Sequence, residues 1–148
     1  MNARVHGALL ALVLALAVAP ALGLDFRSLG EAAVMYDAPS AKAKPVFVIA
    51  RSTPVEVVVA LEGWAKVRDA AGSLAWVERR LLAEQRSLLV KVPRAQIRAA
   101  AEDGAALQFE ADKDVLLELV EAAPPGWAKV RHRDGQSGFV RAAQVWGL

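Results

Sequence analysis

The residues able to do chemistry in this chain are few, and their spacing narrows what they could do. There is no cysteine, so thiolate catalysis, disulfides and lipid attachment through a thiol are excluded. The only histidines are His6 and His132, and neither has a second His or a Cys nearby with which to hold zinc. Asp112 and Asp114 flank Lys113, but two carboxylates fall short of the ~6–8 oxygens that calcium takes. None of the serines (Ser28, Ser40, Ser52, Ser73, Ser87, Ser137) stands in a recognisable nucleophile turn, and no glycine-rich phosphate loop occurs. The acids are scattered, and counting them leaves a glycosidase-like carboxylate pair open. The sequence assigns no catalytic residue, no metal and no cofactor.

What does recur is an aromatic residue beside cations. In Trp64-Ala65-Lys66-Val67-Arg68, alternate residues of a strand would share a face. Trp64, Lys66 and Arg68 then point one way and the small apolar Ala65 and Val67 the other. The same arrangement returns at Trp127, Lys129 and Arg131. Such a face can stack on a sugar or peptide and pair with a carboxylate. Alternatively each Trp caps one end of its domain while the cations are ordinary solvated charge, since Trp is highly buried on average. Both readings stay open; for Trp76 and Phe139 packing is favoured. Arg79-Arg80 and Arg131-His132-Arg133 are short cationic clusters with acids close by, as solvated faces have.

The elements that must position these residues follow from an internal repeat. Gly63–Arg68 recurs letter for letter as Gly126–Arg131, an offset of 63, which also pairs Gly72 with Gly135, Trp76 with Phe139 and Leu82 with Val145. Upstream an offset of 62 fits better, pairing Met35 with Ile97, Phe47 with Phe109 and Arg51 with Lys113. The second copy therefore has a single extra residue in the loop at 122–125. Two units of about 60 residues are expected, joined near 85–87. Within each, period-two patterning predicts short strands at 44–50, 54–59, 64–68 and 74–77, then at 107–111, 115–121, 127–131 and 137–140. Asp134-Gly135 is a tight-hairpin signal. Residues 93–106 carry Pro93 and much alanine and would favour a helix locally. The repeat register instead makes 96–99 a strand and 100–105 a loop. A barrel would remove exposed strand edges, and units this small are expected to pack against each other.

Residues 1–23 have one cation, Arg4, an uninterrupted apolar run at 8–19 and small residues at Ala21 and Gly23. That is the layout of a secretory signal peptide, too short to span a bilayer comfortably. The chain has net charge +2, and its 55% apolar content is inflated by this segment. Such a balance argues against electrostatic capture of nucleic acid.

The run Val34-Met35-Tyr36-Asp37-Ala38-Pro39-Ser40, the Val55-Glu56-Val57 strand, Gly63–Arg68 and Trp76-Val77 together resemble the bacterial SH3-like domain family. The second copy is similar through Ile97-Arg98-Ala99-Ala100, Leu117-Glu118-Leu119, Gly126–Arg131 and Gly138-Phe139-Val140. The resemblance implies a five-stranded barrel in each copy and a non-catalytic role, since domains of this family are usually exported modules suspected of contacting peptidoglycan or partner proteins. It also likens Tyr36 and Trp64 to the first two aromatics of a proline-peptide groove. Where that groove needs Pro and Tyr, this chain has Glu78 and Leu81, then Arg141 and Gln144 in copy two, where Arg98 replaces Tyr36. Proline-motif recognition is therefore disfavoured, most of all in copy two.

The expectation is thus an all-β protein, two tandem SH3-like small β-barrels (24–85 and 88–148) after an N-terminal signal peptide (1–23), periplasmic or secreted. It would bind cell-wall peptidoglycan or an envelope protein through Tyr36, Trp64, Lys66, Arg68, Trp127, Lys129 and Arg131, with no stable membrane insertion after signal cleavage. The alternative is a periplasmic protein–protein adaptor using an inter-barrel groove or strand edge.

Overall fold

Alternating burial runs along the strands, as a half-buried pleated surface requires. The computed structural model describes residues 25–148; the expected signal peptide lies outside the described residues. The first copy comprises β1 (Asp25–Leu29), β2 (Ala33–Tyr36), β3 (Pro45–Ile49), β4 (Pro54–Ala60), β5 (Trp64–Arg68), β6 (Leu74–Glu78) and β7 (Leu82–Ala83). The second comprises β8 (Ser87–Val90), β9 (Arg94–Arg98), β10 (Leu107–Asp112), β11 (Leu116–Ala122), β12 (Trp127–Arg131), β13 (Ser137–Arg141) and β14 (Val145–Trp146). Short 3-10 turns, Arg79–Leu81 and Ala142–Gln144, precede the last strand of each, and the described residues contain no α-helix. Both sheets are antiparallel with one topology, β3-β2-β6-β5-β4-β1-β7 and β10-β9-β13-β12-β11-β8-β14.

Every long strand of the first sheet sends side chains into one cluster, from Leu29, Met35 and Ile49 to Val55, Val67 and Val77. The second sheet does the same with Val90, Ile97, Ala111, Leu117, Val130 and Val140. Convergence on a single core curls each sheet into a barrel. The ladder does not close it, however: the sheets end in β3 and β7, and in β10 and β14. The expectation that closure removes strand edges is therefore corrected. The two-residue β7 and β14 are too short to carry the ladder round, so closure is made by core side chains.

The duplication extends to irregularities. The β2–β3 register slips between Met35 and Tyr36, opposite Phe47 and Pro45; the β9–β10 register slips opposite Phe109 and Leu107. The β4–β5 register slips between Val57 and Val59, and the β11–β12 register between Leu119 and Glu121. Gly72 (φ 90°) and Gly135 (φ 95°) occupy matching hairpins in the left-handed region that glycine enters without steric cost. The additional residue of the second copy falls between Ala122 and Trp127, as the offset change requires.

Strand β1, which had no counterpart among the expected strands, pairs with both β4 and β7. The alanine-rich stretch forms β9, as the repeat register requires, because Ala95 and Ile97 are needed in the core, where both are fully buried. The two copies also meet directly. The buried Ser28 hydroxyl accepts the Ser87 backbone N–H at 2.8 Å, and Phe26 and Trp146 stack edge to face with ring centroids 5.0 Å apart.

Candidate functional site

Directly opposed residues of antiparallel strands share a face, so the register places the candidate residues. In copy one, Tyr36 stands opposite Trp76, Trp76 opposite Lys66, and Trp64 opposite Glu78. Tyr36, Trp64, Lys66 and Trp76 alternate with buried core positions on their strands and are themselves half-buried. The Tyr36 and Trp64 rings meet edge to face, centroids 5.6 Å apart and planes at 84°, an arrangement aromatic quadrupoles favour. Arg68 pairs with Glu56 at 3.1 Å and Glu78 with Arg80 at 2.7 Å. Lys66 makes no ion pair among the described residues.

Copy two has the same scaffold with a different surface. Arg98 stands opposite Phe139, Phe139 opposite Lys129, and Trp127 opposite Arg141. The Arg141 guanidinium lies over the Trp127 ring at 4.7 Å, and Asp103 holds it, with Nε to Oδ1 at 2.7 Å. That bond from Arg141 keeps the Asp103 carboxyl below its ordinary range. Trp127 consequently retains only 9% exposure. Lys129 pairs with Glu121 at 3.3 Å and Arg131 with Glu118 at 2.8 Å. Arg98 donates to the Ala105 carbonyl and to Gln96 Oε1, both at 3.0 Å.

The strand alternation expected for both Trp-Lys-Arg sets is present, yet the two faces are not equivalent. Tyr36, Trp64 and Lys66 come together with Trp76 around an uncovered aromatic surface, while Arg68 is engaged by Glu56. Trp127, Lys129 and Arg131 each have a partner from their own chain. Trp76, for which the sequence favoured packing, stands half-buried on this same outer face. Its signal was available, because a strand alternating Ala75, Trp76, Val77 places the ring opposite the small buried side chains.

A concavity of about 700 Å3 lies between the copies, lined by residues that include Arg51, Ser52, Asp114, Glu118, Arg131 and His132. It mixes both charge signs. His132 Nδ1 is 3.0 Å from Asp134. No three potential metal ligands cluster among the described residues, and Asp114 is spent on a left-handed turn (φ 70°) that matches Ser52 (φ 65°).

Two curled antiparallel sheets of one topology define a tandem of small β-barrel domains. The chain belongs to the bacterial SH3 domain family, which matches residues 30–84 and again residues 91–147. A comparison with curated proteins found no match. Solved structures similar to it include NlpC2 from Trichomonas vaginalis, at 13% identity, 84% of this chain, 48% of that chain and a TM-score of 0.39. NlpC1 from the same organism aligns at 14% identity over 86% of this chain and 47% of that one, TM-score 0.39. An NlpC/P60 family protein from Bacillus cereus ATCC 10987 aligns at 14% identity over 82% and 56%, TM-score 0.39. The chain spans about half the length of these proteins. No helix among the described residues is long and apolar enough to cross a membrane.

Proposed function

We propose that this protein is an exported, non-catalytic binding module of the cell envelope, with leader 1–23 and barrels 24–85 and 88–148, that holds peptidoglycan chiefly through the outer face of its first barrel. The observation that carries this reading is the uncovered Tyr36–Trp64–Trp76 surface beside the unpaired Lys66, set against the covered Trp127 of the second barrel. A sugar ring stacks on an indole, and a stem-peptide carboxylate reaches the ammonium group of Lys66. One such open, shallow face suits reversible retention on a polymer that offers many sites. Trp127, Lys129 and Arg131 contribute less, because a ligand must first displace Arg141, Glu121 and Glu118.

The test is co-sedimentation of residues 24–148 with purified cell-wall sacculi. Tyr36→Ala with Trp64→Ala should lose most retention, and Trp127→Ala should lose little beyond any effect on folding followed by circular dichroism. Undiminished retention of the folded Tyr36/Trp64 double variant would remove this face from the account.

A further inference from the structure

The duplication supplies an internal control for the free edge of each sheet. Strands β3 and β10 hold equivalent places, each paired on one side only. The inward positions of each edge hairpin, β2–β3 and β9–β10, agree in kind: Ala33 and Ala95, Met35 and Ile97, Ile49 and Ala111 are all buried. Their outward positions do not. Ala32, Val34, Val46, Val48 and Ala50 of copy one correspond to Arg94, Gln96, Gln108, Glu110 and Asp112 of copy two. In copy two Arg94 reaches both Glu110 (3.4 Å) and Asp112 (3.3 Å), a charged lattice that guards the edge. In copy one Val34, Val46 and Val48 are 40%, 45% and 67% exposed along an edge with no charged side chain between Lys44 and Arg51. The same fold in the same chain thus tolerates a guarded edge, and β3 is left bare.

We propose that β3 is a docking edge for an extended segment of another protein, one alternating apolar side chains and carrying acidic residues at both flanks. The partner strand adds backbone hydrogen bonds to the unpaired side of β3, and its apolar side chains cover Val48 and Val34. Val34 and Tyr36 lie on the same side of β2, so this surface runs on into the aromatic face. Charge selects the partner. Residues 38–55 contain Lys42, Lys44 and Arg51 and no acid. The nearest carboxylate on the loop, Asp37, accepts the backbone N–H of Lys44 at 3.0 Å, and Glu31 lies beyond the far end of β2. A second copy of this chain fits poorly: antiparallel self-pairing centred between Phe47 and Val48 sets Lys44 against Arg51 at both ends, and like charges directly opposite destabilise a sheet. The proposal concerns a protein ligand and a different strand, and stands independently of peptidoglycan binding.

The probe is the end-blocked peptide Asp-Asp-Thr-Val-Thr-Val-Thr-Asp-Asp, titrated into residues 24–148. Binding is followed by amide chemical shifts and hydrogen exchange of β3. Expected are slowed exchange at outward-facing amides within residues 46–49 and affinity about ten-fold weaker for Val46→Gln with Val48→Glu, for the peptide with Lys in place of Asp, and for one with a central proline. Because Val48 is largely exposed, the variant should keep its fold by circular dichroism and keep its retention on sacculi, which separates this proposal from the preceding one. Unchanged exchange at β3, equal affinity for the variant or the Lys-flanked peptide, or protection at β10 instead would overturn it. So would sedimentation showing that β3 is already occupied by a second copy.

Discussion

Transplanting the cover of Trp127 onto Trp64 tests whether cover is what separates the two faces. Glu78 occupies the position of Arg141, and Ala41 that of Asp103 in loops of equal length. Glu78→Arg with Ala41→Asp should therefore bring a guanidinium over Trp64 with an acid to hold it, as in copy two, where the distance is 4.7 Å. An exposed cation–π contact is worth about 0.5–1 kcal/mol, and a ligand stacking on Trp64 must first break it. Affinity for sacculi should then fall about two- to five-fold, since about 1.4 kcal/mol corresponds to ten-fold. The new surface ion pair replaces the Glu78–Arg80 pair, each worth at most about 1 kcal/mol, so the denaturation midpoint should stay nearly unchanged. The reverse change, Arg141→Ala, uncovers Trp127 and should raise retention by a comparable factor. If the transplant binds as wild type while Trp64→Ala does not, the distinction between open and covered faces is wrong. Indole fluorescence of the two proteins, compared with and without the transplant, reports whether the guanidinium has arrived.

Gly138 sits where copy one has Ala75, but a Cβ there would come within 2.6 Å of the Arg98 carbonyl oxygen and 2.7 Å of Ile97 Cγ2. Gly138→Ala should cost about 1–3 kcal/mol in urea denaturation; an unchanged midpoint would show that β9 can retreat. Ser28→Ala strips the buried Ser87 N–H of its acceptor and should cost about 1–3 kcal/mol, whereas equal stability would mean that water or another acceptor replaces the hydroxyl. The Asp134 carboxyl is held down to about 2 by hydrogen bonds from the Gln136 backbone and side chain. A depressed folded pKa means that its contribution to the hairpin is present above the ordinary value of 3.8 and disappears as pH falls toward about 2. A carbon-13 titration of that carboxyl with a midpoint near 3.8 would show that the turn does not hold it.

Much of this was legible because the repeat is written in the strands themselves. The identical Gly63–Arg68 and Gly126–Arg131 fixed β5 and β12 to the residue, and the register overrode the helix propensity of 93–106 because tertiary burial of Ala95 and Ile97 outweighs a weak local preference. The divergence of the two edges was equally present in the letters, Val34 and Val48 against Gln96 and Glu110. Its meaning depended on knowing that β3 and β10 end their sheets, which is a property of closure. Local periodicity does not contain it. The cover over Trp127 was hidden for a similar reason: Arg141 lies on the neighbouring strand and Asp103 in a loop 38 positions away from it, so only the register brings the three together. Strand β1 escaped because it stands before the first recognisable repeat match, at Met35.

The joint between the copies explains why two barrels of one fold do not behave as two interchangeable beads. Matching the β1–β7 register to that of β8–β14 makes Ala83 the counterpart of Trp146, and Ser87 that of Phe26. The Phe26–Trp146 contact is therefore built from two positions at which the copies differ widely in size. A joint between unlike surfaces of like units is heterologous, and such joints propagate into filaments when every unit carries both surfaces. Here copy one offers Phe26 without a Trp at position 83, and copy two offers Trp146 without a Phe at position 87. Each unit carries only one half of the contact, so it forms once, within the chain, and stops. The same divergence that ends the stacking leaves one contact of this kind in the chain, while the Tyr36–Trp64–Trp76 face and the bare β3 edge belong to the first copy.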